Sequence, residues 1–160
     1  MRVPRPLRSH LDESDLDRIA ETVRQAELRT SGEIRVHVVA RLLPFENARR
    51  RAVRDFRRLG MDRTRDGTGV LLFLAVKTRR FEIVADRGID AKVGRAAWEA
   101  IAAGITTRIR RDGVAAGLCH GVERIGTFLS EHFPIAEDDT NELSNEVSFD
   151  TSDLMADDSD

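Results

Sequence analysis

Oxygen-bearing side chains surround three short apolar segments of this 160-residue chain, each of the length of a β-strand. Glu33 stands immediately before the first segment, Asp66 shortly before the second and Asp86 immediately after the third. Thr30 and Ser31 precede Glu33 and add two hydroxyl groups. Carboxylates and hydroxyls suit Mg²⁺ or Ca²⁺, whereas zinc would call for His or Cys, and neither belongs to this set. If the three segments meet, the sequence predicts a divalent-cation site.

Two phosphatase chemistries that do not depend on such a cation are excluded by their motifs. A cysteine phosphatase needs Cys-x5-Arg, and Cys119 and Arg124 are one residue too close. The Arg-His-Gly motif of histidine acid phosphatases is absent, because Cys119 precedes His120.

Three segments have the patterns of β-strands. Residues 34–38 alternate between apolar and polar, which predicts a half-covered strand with His37 on its outer side, either packed or solvated and less plausibly catalytic. Residues 70–76 are apolar without interruption, as in a central strand that is covered on both faces. Residues 81–85 follow a connection too short for a crossover, so they are expected to return antiparallel in a hairpin.

Four segments show the spacing of amphipathic helices. The first is expected to begin at Asp12, as its N-cap, and to end at Gly32. The second spans 46–59, the third begins at Asp90, and the fourth ends before Pro134. Together with the strands, these helices predict an α/β fold in which a mixed sheet is sandwiched by about four helices.

The order of these elements predicts where the oxygen-bearing residues meet. Strand 1, helix 2 and strand 2 form a parallel unit and strand 3 runs the opposite way, so two strand starts and one strand end share an edge. The residues expected there are Thr30, Ser31, Glu33, Thr64, Asp66, Thr68, Asp86, Gly88 and Asp90. Several have a structural alternative, because Asp66 lies in a common turn pair and Asp90 can cap helix 3. The amino end of that helix would also favour an anion.

The net charge of −2 conceals a division along the chain. Residues 137–160 carry ten acidic and no basic side chains, which leaves the preceding residues at about +8. Helix 2 is rich in arginine, so non-specific nucleic-acid binding is one interpretation of its outer face. The scarcity of aromatic residues disfavours that interpretation, and an arginine face covered by the acidic tail is the preferred one.

The single cysteine, Cys119, cannot form an internal disulfide, so a reduced cytoplasmic location is expected. The first ten residues lack the apolar run of a secretory signal, and no segment approaches the length of a membrane span. The oligomeric state is left open by the sequence.

At the same residues the chain resembles the TPM-domain family, and in particular its short soluble bacterial branch. The resemblance is carried by residues 26–36, 67–72 and 83–89, then by Trp98, Gly117-Leu118, Phe133-Pro134 and Asn141-Glu142-Leu143. It implies a central sheet between helices, and it implies divalent-metal binding and acid phosphatase activity at acidic loop residues. For that activity a bound cation would polarise a phosphoryl oxygen while Asp86 or Glu33 activates water, so these two are the catalytic residues that the resemblance implies. Glu33 and Asp86 occupy matching positions, as do Thr30, Ser31 and Asp66. The chain departs from many relatives at Thr68, where they have Asn, and at Ala85, where they have Gly.

The sequence therefore predicts an extension over residues 1–10, an α/β domain over 11–135 and a tail over 136–160 that is disordered at least beyond Phe149. The expected function is binding of Ca²⁺ or Mg²⁺ at the sheet edge where these oxygen-bearing residues meet, with weak phosphatase activity. The alternative is a non-enzymatic module that docks a partner protein at a membrane complex.

Overall fold

The computed structural model describes residues 3–135, 144–150 and 153. The helices are α1 (Glu13–Glu27), α2 (Ala48–Arg58), α3 (Arg87–Asp90), α4 (Arg95–Asp112) and α5 (Val114–His132). The strands are β1 (Glu33–Val39), β2 (Gly69–Ala75), β3 (Arg80–Ala85) and β4 (Ser148–Phe149). Short 3₁₀ turns occupy Arg5–Leu7 and Met61–Arg63. The predicted α/β class is confirmed.

The four described strands form one mixed sheet in the order β3-β2-β1-β4. β1 and β2 are parallel, and β2 and β3 form the predicted antiparallel hairpin. Every residue of β2 is buried, as its uninterrupted apolar sequence indicates for a strand with both faces covered. The predicted parallel unit and hairpin are therefore confirmed.

Helices cover both faces of this sheet. On one face, α1, α4 and α5 enclose the larger apolar core, into which β1 contributes Ile34, Val36 and Val38. On the other face, α2 packs Ala52 and Phe56 over a smaller core. β1 is thus covered on both sides, and the expectation of a half-covered strand is wrong because α2 lies over its outer face.

Two helix boundaries differ from the sequence prediction. Asp12 caps α1 as expected, in a reciprocal capping box with Asp15, but the helix ends at Glu27 and not near Gly32. Gly32 instead allows close packing, since a Cβ there would lie 2.8 Å from Leu129 Cδ1. The third helix does not begin at Asp90, because Asp86 caps the short α3 and the long α4 begins after Gly94.

Both ends of the chain take part in the fold. Val3 and Leu7, from the predicted extension, are buried in the larger core. Residues 144–150, from the tail that is predicted to be disordered at least beyond Phe149, add β4 to the sheet and bury Val147. The rest of that prediction concerns residues outside the described ones, apart from Asp153. In the described residues, we find no helix that could cross a membrane.

Candidate functional site

Glu33 and Asp86 lie at the same edge of the sheet, as the topology predicts. Glu33 is opposite Gly69 in the parallel pair, and its N–H donates to Thr68 O at 3.0 Å. On the other side of the same strand, the N–H of Asp86 donates to Gly69 O at 2.9 Å. The two predicted catalytic residues therefore flank one residue of β2. We call the region formed by Glu33, residues 64–68 and residues 86–88 the loop edge.

Two turns of the loop edge pack directly against each other. The N–H of Gly88 donates to Gly67 O at 3.0 Å. A Cβ on Gly88 would lie 2.7 Å from Gly67 O and 2.8 Å from Asp66 O, so only glycine permits this approach. Asp86 Oδ2 lies 3.8 Å from the position of a Cβ on Gly67. Two backbone carbonyls and one carboxylate are thus held close together.

The carboxylates of the loop edge differ in exposure. The Asp66 side chain is 59% exposed, with Arg65 Nε at 3.8 Å from its carboxylate. Asp86 is half-buried, and its Oδ1 accepts from the N–H of Arg87 at 2.8 Å. Glu33 is buried. Only Asp66 and Asp86 therefore present carboxylate oxygen to the surface without rearrangement of the strand start.

Thr30 and Ser31 are directed towards the end of α5. The hydroxyl of Thr30 donates to Phe133 O, and the N–H of Ser31 donates to the same carbonyl at 2.9 Å. Thr30 Oγ1 also accepts from the N–H of Gly32 at 3.0 Å. Both residues therefore have a structural role, because these hydrogen bonds join the start of β1 to the residue that follows α5.

A carboxyl pair at the start of β1 was missed by the sequence reasoning. Glu27, the last residue of α1, is hydrogen-bonded to Glu33, and its Oε1 accepts from the N–H of Ile34 at 2.9 Å. Burial, together with the neighbouring Glu33, raises the pKa of Glu27 to about 8. The spacing of Glu27 and Glu33 does not predict this contact. The turn between α1 and β1 decides whether the two side chains meet, and its path cannot be derived from the residue pattern.

The donor set limits which ion the loop edge suits. Among the described residues, no three His, Cys, Asp or Glu side chains form a group that could hold a metal ion. A cation here would need oxygen from backbone carbonyls, hydroxyls or water beside one or two carboxylates, which Ca²⁺ and Mg²⁺ accept and a tetrahedral zinc site does not.

The helix that begins at the loop edge is the four-residue α3, and not the long third helix that was predicted to begin at Asp90. Asp90 is the last residue of α3, and the first N–H of that helix is already bonded to the carboxylate of Asp86. The long helix α4 begins only at Arg95. The predicted helix start at Asp90 is therefore wrong, because the chain makes a separate four-residue helix first.

A second polar cluster lies under α2, on the opposite face of the sheet. His37 is buried, with Nδ1 2.7 Å from Ser148 Oγ and Nε2 3.2 Å from Asp55 Oδ2. Arg51 Nε donates to the same Asp55 oxygen at 2.9 Å, and its Nη2 contacts Asp150. The packed interpretation of His37 is thus the correct one, and Arg51 is not part of the exposed arginine face.

The electrostatics of this cluster are those of a structural anchor. Burial raises the pKa of Asp55, but hydrogen bonds from His37 and Arg51 outweigh it and hold that pKa below its usual range. Serine, histidine and aspartate in a row are reminiscent of a hydrolase triad, yet His37 and Asp55 are both buried between α2 and the sheet. The cluster joins β4 to β1 through the contact of Ser148 with His37, and it joins the residue after β4 to α2 through the contact of Asp150 with Arg51.

Comparison with known proteins agrees with this architecture. The model of the TPM domain matches residues 8–128. The solution structure of the BA42 protein from the psychrophilic bacterium Bizionia argentinensis is similar, with a TM-score of 0.81 and 34% identity over 88% of this chain and 95% of that one.

A more distant fold neighbour is the N-terminal domain of the cg2496 protein from Corynebacterium glutamicum. The TM-score is 0.60, at 13% identity over 80% of each chain. A comparison with curated proteins finds no match. The family model and the BA42 similarity show that this chain belongs to the TPM-domain family.

Proposed function

We propose that the loop edge binds a divalent cation of the Ca²⁺ or Mg²⁺ class, with Asp86 and Asp66 as the surface carboxylates. The observation that carries the proposal is the close packing of two turns, which places the carbonyls of Asp66 and Gly67 beside residues 86–88. Oxygen atoms held in this way need little ordering when an ion binds, so less conformational entropy opposes binding.

Glu33 and Glu27 have a supporting role in this proposal. Their carboxyl pair lies at the start of β1, and at neutral pH it holds a proton because the pKa of Glu27 is raised to about 8. A divalent cation can replace such a proton, since it too reduces the repulsion between two neighbouring carboxylates. The proposal therefore includes Glu33 as a ligand that joins one of the surface carboxylates after the strand start rearranges, and Thr30 and Ser31 as candidate hydroxyl ligands.

Calorimetric titration with CaCl₂ and with MgCl₂ tests the site. Wild-type protein is expected to bind one of the two ions, and Asp86→Asn and Asp66→Asn are each expected to weaken binding about tenfold or more. Asp17→Asn is the matched control, because Asp17 is an exposed carboxylate on α1. If neither ion produces heat or amide chemical-shift changes at residues 64–68 and 86–88, the site does not exist.

Hydrolysis of phosphomonoesters is the activity proposed for the ion-loaded site. An ion held by Asp86 would polarise a phosphoryl oxygen, and Asp86 or Glu33 would accept a proton from the attacking water. The measurement is release of p-nitrophenol from its phosphate in the presence of the bound ion. Activity that persists in both Asp86→Asn and Glu33→Gln would assign it to another site.

The alternative remains a non-enzymatic interaction module. In that proposal the cation orders the two turns as a docking surface for a partner protein, and no phosphate ester is hydrolysed. Ion binding without p-nitrophenol release above that of the Asp86→Asn variant favours this alternative.

A further inference from the structure

The end of the sheet opposite the loop edge carries exposed apolar side chains. Leu43 is 67% exposed and Phe45 is fully exposed, and Pro44 between them is also exposed. We call residues 43–45 the apolar tip. Exposure of apolar side chains to water is unfavourable. Two such side chains on one three-residue tip therefore indicate a surface that another molecule contacts.

The apolar tip is held in place by the domain. The N–H of Leu42 donates to Thr78 Oγ1 at 2.9 Å, which joins the loop to the β2–β3 hairpin. Glu46 Oε1 accepts from the N–H of Leu43 and from Arg51 Nη1, each at 3.1 Å. Phe45 has a φ of 64°, a left-handed conformation that is unfavourable for an aromatic residue. Phe45 is therefore exposed to solvent in a strained backbone conformation.

Basic side chains surround the tip. The hydrogen bond from Lys77 N to Ala40 O, at 2.8 Å, brings the hairpin turn beside the start of the loop. A surface depression of this end is lined both by residues 41–49 and by Thr78 and Arg80. The exposed cations of this region are Arg41, Arg49, Lys77, Arg79 and Arg80, which we call the basic rim.

The arginines of α2 extend the basic rim. Arg49 also lines a second depression, together with Arg50, Arg54, Arg57 and Arg58, so the two surfaces are continuous. Among the described residues, three carboxylates oppose these charges at the tip. Glu46 is paired with the buried Arg51, Glu82 lies 3.5 Å from Arg49, and Asp153 accepts from the N–H of Ala40. Within the described part of the chain, the exposed groups of this end are therefore mainly positive.

We propose that the apolar tip and the basic rim form a docking surface for an anionic phospholipid bilayer. Exposed leucine and phenylalanine side chains suit insertion between lipid head groups, while the surrounding arginines and lysine attract the negative surface. A protein partner would favour an apolar core with few charged residues, and a nucleic acid would favour several stacking residues. Charge complementarity and the full exposure of Phe45 therefore select the bilayer.

Co-sedimentation of the full chain with vesicles tests the proposal. Vesicles of phosphatidylcholine with roughly one-third phosphatidylglycerol are expected to bind the protein at about 0.1 M salt, and pure phosphatidylcholine vesicles are not. Leu43→Ser with Phe45→Ser is expected to weaken binding about tenfold. Lys77→Gln with Arg80→Gln is expected to weaken it about 25-fold and to reduce the dependence on salt.

The matched control combines Leu28→Ser with Arg95→Gln, since both side chains are exposed and lie outside the apolar tip and basic rim. It is expected to bind within about twofold of the wild type. The proposal is overturned if wild-type protein does not co-sediment with anionic vesicles, or if the control loses as much binding as the tip variant. A nucleic-acid partner is a further outcome that would overturn the proposal. It is indicated if double-stranded DNA displaces the protein from vesicles, and if DNA binding is weakened equally in the apolar-tip double variant and in the basic-rim double variant.

Discussion

The carboxyl group of Glu27 is hydrogen-bonded to that of Glu33, across the turn between α1 and β1. Burial and the neighbouring carboxylate raise the pKa of Glu27 from 4.5 to about 8. The folded protein therefore holds a proton that the unfolded chain releases above a pH of about 4.5. The pair joins a helix end to the strand start that carries a proposed ligand, so its proton has consequences for both stability and ion binding.

The first prediction concerns the pH dependence of stability. The contribution of Glu27 is fully present below a pH of about 4.5 and is lost progressively as the pH rises to about 8, by up to a few kcal/mol. Glu27→Gln keeps a carbonyl oxygen for the N–H of Ile34 and can donate to Glu33. We expect this variant to flatten that part of the curve of unfolding free energy, measured by urea denaturation from pH 5 to 8.5.

Glu99→Gln is the control for this series, because Glu99 is an exposed carboxylate on α4. It is expected to follow the wild-type curve. The shared proton would be contradicted if the unfolding free energy of the wild type rises between pH 5 and 8 and that of Glu27→Gln rises with the same slope.

The second prediction compares two glycines near the same edge. Gly88→Ala would place a Cβ 2.7 Å from Gly67 O, so the two turns must separate. We expect a loss of about 1–3 kcal/mol in unfolding free energy and weaker Ca²⁺ or Mg²⁺ binding. Gly94→Ala has no atom within 4 Å of its new Cβ, so it is expected to leave ion binding unchanged and to cost at most about 0.5–1 kcal/mol, as an alanine at the N-cap of α4. Equal thermal and binding behaviour of the two variants would show that the close approach of the turns is unimportant.

The third prediction concerns the buried arginine of α2. Arg51→Leu leaves the carboxylates of Asp55 and Glu46 without their guanidinium partner in a buried setting. We expect a cost of about 3 kcal/mol or more, because an uncompensated buried charge is expensive. Arg50→Leu, at an exposed position of the same helix, is expected to change the unfolding free energy by at most about 0.5 kcal/mol. Urea denaturation at pH 7 measures both, and similar values for the two would refute the anchor.

The fourth prediction compares two truncations of the acidic tail. Removal of residues 144–160 eliminates β4, exposes the core contacts of Val147 and takes Asp150 from Arg51. We expect a loss of about 2–4 kcal/mol in unfolding free energy, from one buried apolar side chain and one partly buried ion pair. Removal of residues 154–160 keeps these contacts and is expected to have little effect.

Retention on a heparin column tests the predicted masking of the α2 arginine face with the shorter truncation. That truncation removes three acidic side chains and leaves the fold contacts of the tail intact. Masking predicts later elution for the truncated chain, and unchanged elution would contradict it.

Much of the fold was predictable from local pattern. The uninterrupted apolar run of β2, the short hairpin connection and the capping residues of α1 each have a direct structural meaning in the sequence. The convergence of Glu33 and Asp86 also followed from sequence, because strand direction alone decides which ends meet at one edge. The exit of β3 was not predicted correctly, since a short helix between Asp86 and Gly94 is too brief to show a periodic pattern.

Contacts between distant side chains were decided only by the tertiary structure. Alternation in β1 places His37 on one face but does not reveal that α2 and Ser148 cover that face. Arg51 has the same sequence surroundings as the exposed arginines beside it, and its burial depends on Asp55 and on Asp150, which lies 99 residues away. The sequence by itself therefore determined the elements and the loop edge, because both depend on local periodicity and strand direction. Burial, the Glu27–Glu33 proton and the anchoring of β4 depend on long-range packing, which no local pattern encodes.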